Sequence, residues 1–147
     1  MAITVGSQAP PVPGAPEGPH ALLFYKVTCP TCQMAAPAIQ RFERAYPGRI
    51  TGIGQDPSEK LAEFSATHDM SFPSASDLPP YDVSNAYEIS HVPTVVVVDG
   101  KGIVADIVES WDRDGLNRAS DRLADLVGAE PATISEPDDG LPEFRPG

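Results

Sequence analysis

Ala21-Leu22-Leu23-Phe24-Tyr25-Lys26-Val27-Thr28-Cys29-Pro30-Thr31-Cys32 is the stretch on which the reading of this chain turns. Its first five residues form a continuous apolar run that suits a central strand buried on both faces. The two cysteines are the only ones in 147 residues, and they stand three positions apart. A helical pattern over 33–46 follows, with Ala35, Ile39, Phe42 and Tyr46 on one stripe. With Cys29 as N-cap, Pro30 falls on the first helical position, where its missing N–H is no loss and its φ is already helical. The N–H groups of Thr31 and Cys32 then point back at the Cys29 sulfur, and the helix dipole adds partial positive charge there. Both effects favour thiolate over thiol at Cys29. A redox dithiol, two structural thiols and half of a zinc site all share this spacing. On the dithiol reading Cys29 attacks and Cys32, one turn deeper, resolves.

Working outward, residues 1–20 are a loop-rich lead-in with a short strand expected at Ile3-Thr4-Val5. Pro37 lies inside the first helix, where it should kink it, and Pro47-Gly48 ends it. Arg41 and Arg44 suit the negative end of its dipole. A second strand is expected over 49–55. Asp56-Pro57-Ser58-Glu59 then reads as a capping box opening a helix that buries Leu61 and Phe64. Residues 71–80, rich in Ser and Pro, read as loop, and Asp82 reads as the cap of a short helix. Val95 to Val98 is a buried strand, Asp99-Gly100-Lys101-Gly102 a hairpin turn, and Ile103 to Val108 the return strand. A last helix over Asp112 to Val127 carries the stripe Leu116, Ala119, Leu123 and Leu126, and Gly128 stops it. Residues 129–147, acidic and proline-rich, are expected to form a flexible tail beyond a single domain over 1–128. The order of elements needs one mixed central sheet with helices on both faces, an α/β fold.

The formal net charge of −11 repels phosphate backbones and anionic lipid, which speaks against nucleic-acid and membrane partners. Two cysteines are too few for a disulfide-stapled scaffold. The first twenty residues have neither a basic start nor an apolar run, so no signal peptide is expected. The expected location is cytoplasmic, unless the chain is a trimmed piece of a secreted protein.

Cys29-x-x-Cys32 after a buried strand, Pro37 five residues past the second cysteine, and Val92-Pro93-Thr94 ahead of a valine strand resemble the thioredoxin-like superfamily. The segment 56–87 and Val5-Gly6-Ser7-Gln8-Ala9-Pro10 are similar to its redoxin branch, which includes TlpA-like thiol-disulfide oxidoreductases and peroxiredoxins. The resemblance spans about 3–127. It implies a thioredoxin-like fold and a redox-active disulfide with no other cofactor. It also implies a cis bond before Pro93, a Val92 backbone that pairs with a bound substrate strand, and a Pro93 ring that keeps metals off the sulfurs. The implied partners are a protein disulfide or dithiol and an electron donor, met by a monomer.

Five positions depart from the thioredoxin pattern or its TlpA-like variant. Thr28 stands where thioredoxins have tryptophan, and Pro30-Thr31 where they have Gly-Pro. Leu23 replaces their buried acid, and Ala35 the TlpA-like acid. The buried thiol therefore lacks both familiar proton acceptors. His91, two residues before Pro93, is the candidate that would take the Cys32 proton and stabilise the Cys29 thiolate. Lys26 and Thr31 are further candidates for tuning the thiolate. Tyr25 and Trp111 read as packing.

Two other functions share the fold. Peroxiredoxins carry a proline seven and a Thr or Ser three residues before the peroxidatic cysteine. Here those positions hold Leu22 and Lys26 for Cys29, or Tyr25 and Cys29 for Cys32. Sco-like copper proteins separate their cysteines by three residues, not two, and zinc needs about four ligands where Cys29, Cys32 and a histidine fall short. The dithiol oxidoreductase is the function expected, with a peroxiredoxin-like peroxidase or a Sco-like copper-binding module as the alternatives.

Overall fold

The computed structural model describes residues 3–147. In chain order the elements are β1 (His20–Tyr25), α1 (Pro30–Ala45), β2 (Ile50–Gly54), α2 (Ser58–His68), β3 (Ser74–Ser76) and α3 (Asp82–Ala86). Then come β4 (Thr94–Val98), β5 (Val104–Glu109), β6 (Trp111–Asp112), α4 (Arg113–Val127) and β7 (Phe144–Arg145). The main sheet runs β3-β2-β1-β4-β5. β1, β2 and β3 pair in parallel, whereas β4 is antiparallel to both β1 and β5. The mixed sheet has α1, α2 and α4 over one face and α3 with the lead-in over the other.

Alternation along β1 decides what lies on each face. Ala21, Leu23 and Tyr25 join Ile39 and Phe42 of α1, Phe64 of α2 and Leu123 of α4 in one core. Leu22 and Phe24 join Ile53, Tyr87, Val96 and Val104 in the other. Both sets are buried, which explains why β1 is apolar on both faces from Ala21 to Phe24.

Several local expectations give way to tertiary contacts. No strand forms at Ile3-Thr4-Val5: a turn there is followed by a single bridge, Gln8 to Ile103. Asp56 does not cap α2, whose N-cap is Pro57 without a side-chain bond. Asp77, not Asp82, serves α3, accepting from the Val83 and Ser84 N–H groups at 3.2 and 2.8 Å. Within the expected loop 71–80, β3 forms an edge strand, with Ser74 opposite Gly52 and its hydroxyl accepting from the Tyr25 hydroxyl at 2.9 Å.

The largest departure is the expected tail. Residues 129–147 fold back over α1 and α4. Ile134 and Ser135 are buried. Arg113 donates to Ser135 Oγ and to the Leu141 carbonyl, and Trp111 Nε1 donates to the Pro142 carbonyl at 2.6 Å. Arg41, instead of serving its own helix end, donates to the Ile134 carbonyl and to Asp139. β7 then pairs with β6. Charged and polar anchors, together with Ile134 seated in the core, hold the segment.

That clasp carries a pH dependence. The Ser135 hydroxyl, the Leu141 N–H and the Arg41 and Arg113 guanidiniums hold the Asp139 carboxyl below the usual carboxylate range. A carboxyl depressed in the fold stabilises it fully above the ordinary aspartate pKa, roughly 3.9, and loses that contribution as pH falls through the lower folded value. Trp111 emission, which reports the docked Pro142, should therefore hold steady from neutrality to about pH 4 and change below it. Asp139→Asn should weaken docking at neutral pH and flatten the acid dependence; an unchanged acid profile would show that another group governs it.

Candidate functional site: a dithiol facing a cis-proline

β1 ends at Tyr25, and the loop 26–28 turns its chain into α1. Asp56 shapes that loop: its carboxylate accepts the Val27 N–H at 2.9 Å, and Gln33 Nε2 donates to the Val27 carbonyl. Cys29 then occupies the N-cap with extended backbone, and Pro30 takes the first helical position. The Cys32 N–H donates to Cys29 Sγ at 3.1 Å. A helix N-terminus thus aims one of its free donors at the outer sulfur. α1 runs on through Pro37.

The two sulfurs are free thiols in different surroundings. Cys29 is half-buried and Cys32 is 4% exposed. Burial, then the hydrogen bond with Cys29, pushes the Cys32 thiol far up, against the backbone and charge of Lys26, which pull the other way. A cavity of about 10 Å³ beside it is lined by Leu23, Tyr25, Ala35 and Pro93 among others. Leu23 and Ala35 close this space with hydrocarbon.

The Val92–Pro93 peptide is cis, as expected. Cys29 Sγ donates to the Val92 carbonyl at 3.5 Å, which fixes the loop against the outer sulfur. Thr94 starts β4 and ties the loop back by donating its hydroxyl to the His91 carbonyl at 2.7 Å. Cys29, Cys32, Val92 and Pro93 are therefore brought together from α1 and the head of β4.

His91 is not brought to the sulfurs. Its Nδ1 lies 3.2 Å from Glu109 and 3.0 Å from Ser90 Oγ, and it hydrogen-bonds neither cysteine. The expected role for His91 as proton acceptor is corrected accordingly: the carboxylate on β5 holds the ring. Lys26 is exposed, and its influence falls on Cys32. Thr31 is buried and gives its hydroxyl to the Pro146 carbonyl at 2.9 Å. Sequence reasoning missed three contributors, Asp56, Ser110 and Pro146. Asp56 was hidden because Asp-Pro-Ser-Glu also fits a helix start. Ser110, between β5 and β6, donates its N–H to the Pro93 carbonyl at 2.8 Å, and Pro146 follows β7 in the returning segment.

A dithiol at a strand–helix junction, facing a cis-proline at the head of an antiparallel strand in a mixed sheet, defines a thioredoxin-like protein. The AhpC/TSA family model matches residues 15–107, and the chain belongs to that family. MauD, a methylamine utilization protein of Paracoccus versutus, is 26% identical over 117 residues, covering 80% of this chain and 55% of MauD. The chain spans about half the length of the curated relatives it matches. The Mycobacterium tuberculosis (MTB) protein DsbF, solved in mixed oxidised and reduced forms, has a TM-score of 0.63 at 26% identity, covering 74% of this chain and 81% of DsbF. A secreted disulfide oxidoreductase of Mycobacterium tuberculosis, homologous to E. coli DsbE, has a TM-score of 0.62 at 23% identity, covering 74% and 82%. Among the described residues no helix is long and apolar enough to cross a membrane.

Proposed function

We propose that this protein exchanges thiols and disulfides in polypeptide substrates through Cys29 and Cys32. The observation that carries the reading is the asymmetry of the pair: a half-buried sulfur that receives a helix N–H, and a buried one a turn behind it. Family membership and the likeness to thiol-disulfide oxidoreductases support it.

In the reducing direction Cys29 thiolate attacks one sulfur of a substrate disulfide. A Cys29–substrate S–S bond forms, the substrate S–S bond breaks, and the released thiolate takes up a proton. Cys32 loses its proton and attacks Cys29 Sγ. This forms the Cys29–Cys32 disulfide and frees the second substrate thiol, so two electrons have passed to the substrate. Another dithiol, the electron donor, must reverse the last bond. Pro93 and the Val92 carbonyl form the wall against which the substrate lies. The Lys26 backbone and charge ease proton loss at Cys32. Thr31, in the first turn between the two cysteines, contributes its backbone N–H to the helix end that favours the Cys29 thiolate, and one chain supplies every group. Zinc would need more donors: among the described residues no third His, Cys, Asp or Glu joins the sulfurs.

Equilibration in glutathione buffers tests the reading. One intramolecular disulfide should form, with a single two-electron midpoint in the range of thioredoxin-fold proteins, roughly −270 to −120 mV. The reducing end would fit the cytoplasmic location expected from sequence; the oxidising end would fit a secreted protein like the DsbE homologue. Failure of oxidant to link the two cysteines would overturn the reading, as would rapid peroxide consumption without disulfide exchange.

A further inference from the structure

β7 does not stop at the edge of the fold. Beyond it the chain crosses the cleft between the first turn of α1 and the cis-proline loop. Pro146 receives the Thr31 hydroxyl between the two cysteines. The Gly147 N–H donates to Ser110 Oγ at 3.1 Å, and the Ser110 N–H is itself bonded to the Pro93 carbonyl. Gly147 packs so closely on the Val92 carbonyl that a Cβ there would collide with it. That carbonyl is the one that accepts the Cys29 thiol.

These contacts differ in kind from those upstream. Ile134 to Pro142 is anchored by the buried Arg113 and Trp111. Residues 144–147 are exposed and hold on through a two-residue strand pairing and three side-chain bonds, one of them a long contact of 3.8 Å from Arg145 to the Met34 sulfur. A weakly held segment on a strongly held base is a part that opens locally while the fold stays intact.

We propose that Phe144–Gly147 is a strap lying in the docking cleft of the dithiol. An incoming extended polypeptide must displace it from β6 and from the Val92 carbonyl before its disulfide reaches Cys29. The strap mimics what it excludes: an extended chain laid along β6 by main-chain pairing. Its effect on turnover rests on the oxidoreductase reading above; its seating over Cys29 does not.

The test compares the full chain, a chain shortened after Glu143 and full-length Gly147→Val. The shortened chain keeps the Arg113 and Trp111 anchors. Gly147→Val keeps every residue, drives a side chain into the Val92 carbonyl, and carries the test should the shortened chain not fold. Alkylation of Cys29 by a polyethylene glycol maleimide should accelerate on the order of tenfold in both variants, because the open fraction limits access in the full chain. Small iodoacetamide should gain less. Insulin reduction should rise alongside. An unchanged maleimide rate in the variants would overturn the strap whatever insulin shows. Faster alkylation with no insulin reduction by any of the three would leave the strap standing and remove the oxidoreductase reading.

Discussion

Cys29→Ser should bring insulin reduction down to the uncatalysed background, while Cys32→Ser should stop turnover after one covalent event. The difference lies in where the activating bond comes from. Cys29 Sγ accepts its hydrogen bond from the backbone N–H of residue 32, so a serine there leaves the donor in place. Attack on a substrate disulfide proceeds, and the mixed disulfide then has no second sulfur to break it. Non-reducing gels and mass spectrometry should show a stable adduct with Cys32→Ser and none with Cys29→Ser. Sustained turnover by Cys32→Ser would mean that the buried sulfur is not the resolving one.

Trp111→Ala should be the most damaging substitution for stability. Trp111 is 2% exposed and stands where β6 turns into α4. With Ala35, Ile39, Pro93, Val95 and Leu116 it lines a space of only about 10 Å³, so its removal opens a cavity between α1 and the sheet. Truncations of this size cost about 3–5 kcal/mol. For a domain of this length that is a fall in Tm of roughly 6–20 °C. The indole Nε1 also holds the Pro142 carbonyl, so the returning segment loses an anchor as well. Trp111→Phe separates the two effects: it keeps most of the volume and loses the hydrogen bond, a change of about 1 kcal/mol. Similar losses for both variants would show that the bond, and not the packing, governs.

The parts of this fold legible in sequence are those whose signals are local. A continuous apolar run gave β1, four valines gave β4, and helical stripes gave α1 and α4. The two cysteines and Pro93 were legible because spacing and neighbours identify them. The misses share one cause. β3 is Ser74-Ala75-Ser76, with no β-branched or large apolar residue; main-chain pairing to β2 and the Tyr25 hydroxyl make it a strand. Asp56 and Asp82 sit where helix caps belong, and the fold gives the first to Val27 and passes the second task to Asp77. Residues 129–147 have the composition of a solvated tail, and partners distant in sequence, Arg41, Trp111, Arg113 and Asn117 among them, hold them down. His91 reads as a site residue by its distance from Pro93, but position along a chain does not specify which way a ring turns.

The route of the last four residues has a practical side. Any polypeptide joined after Gly147 would start beside the Val92 carbonyl, within reach of Cys29. An affinity tag or fluorescent reporter placed there would crowd the cysteine that assays are meant to measure. The lead-in, by contrast, packs its Ala9 and Val12 on the face of the sheet opposite α1, away from the thiols.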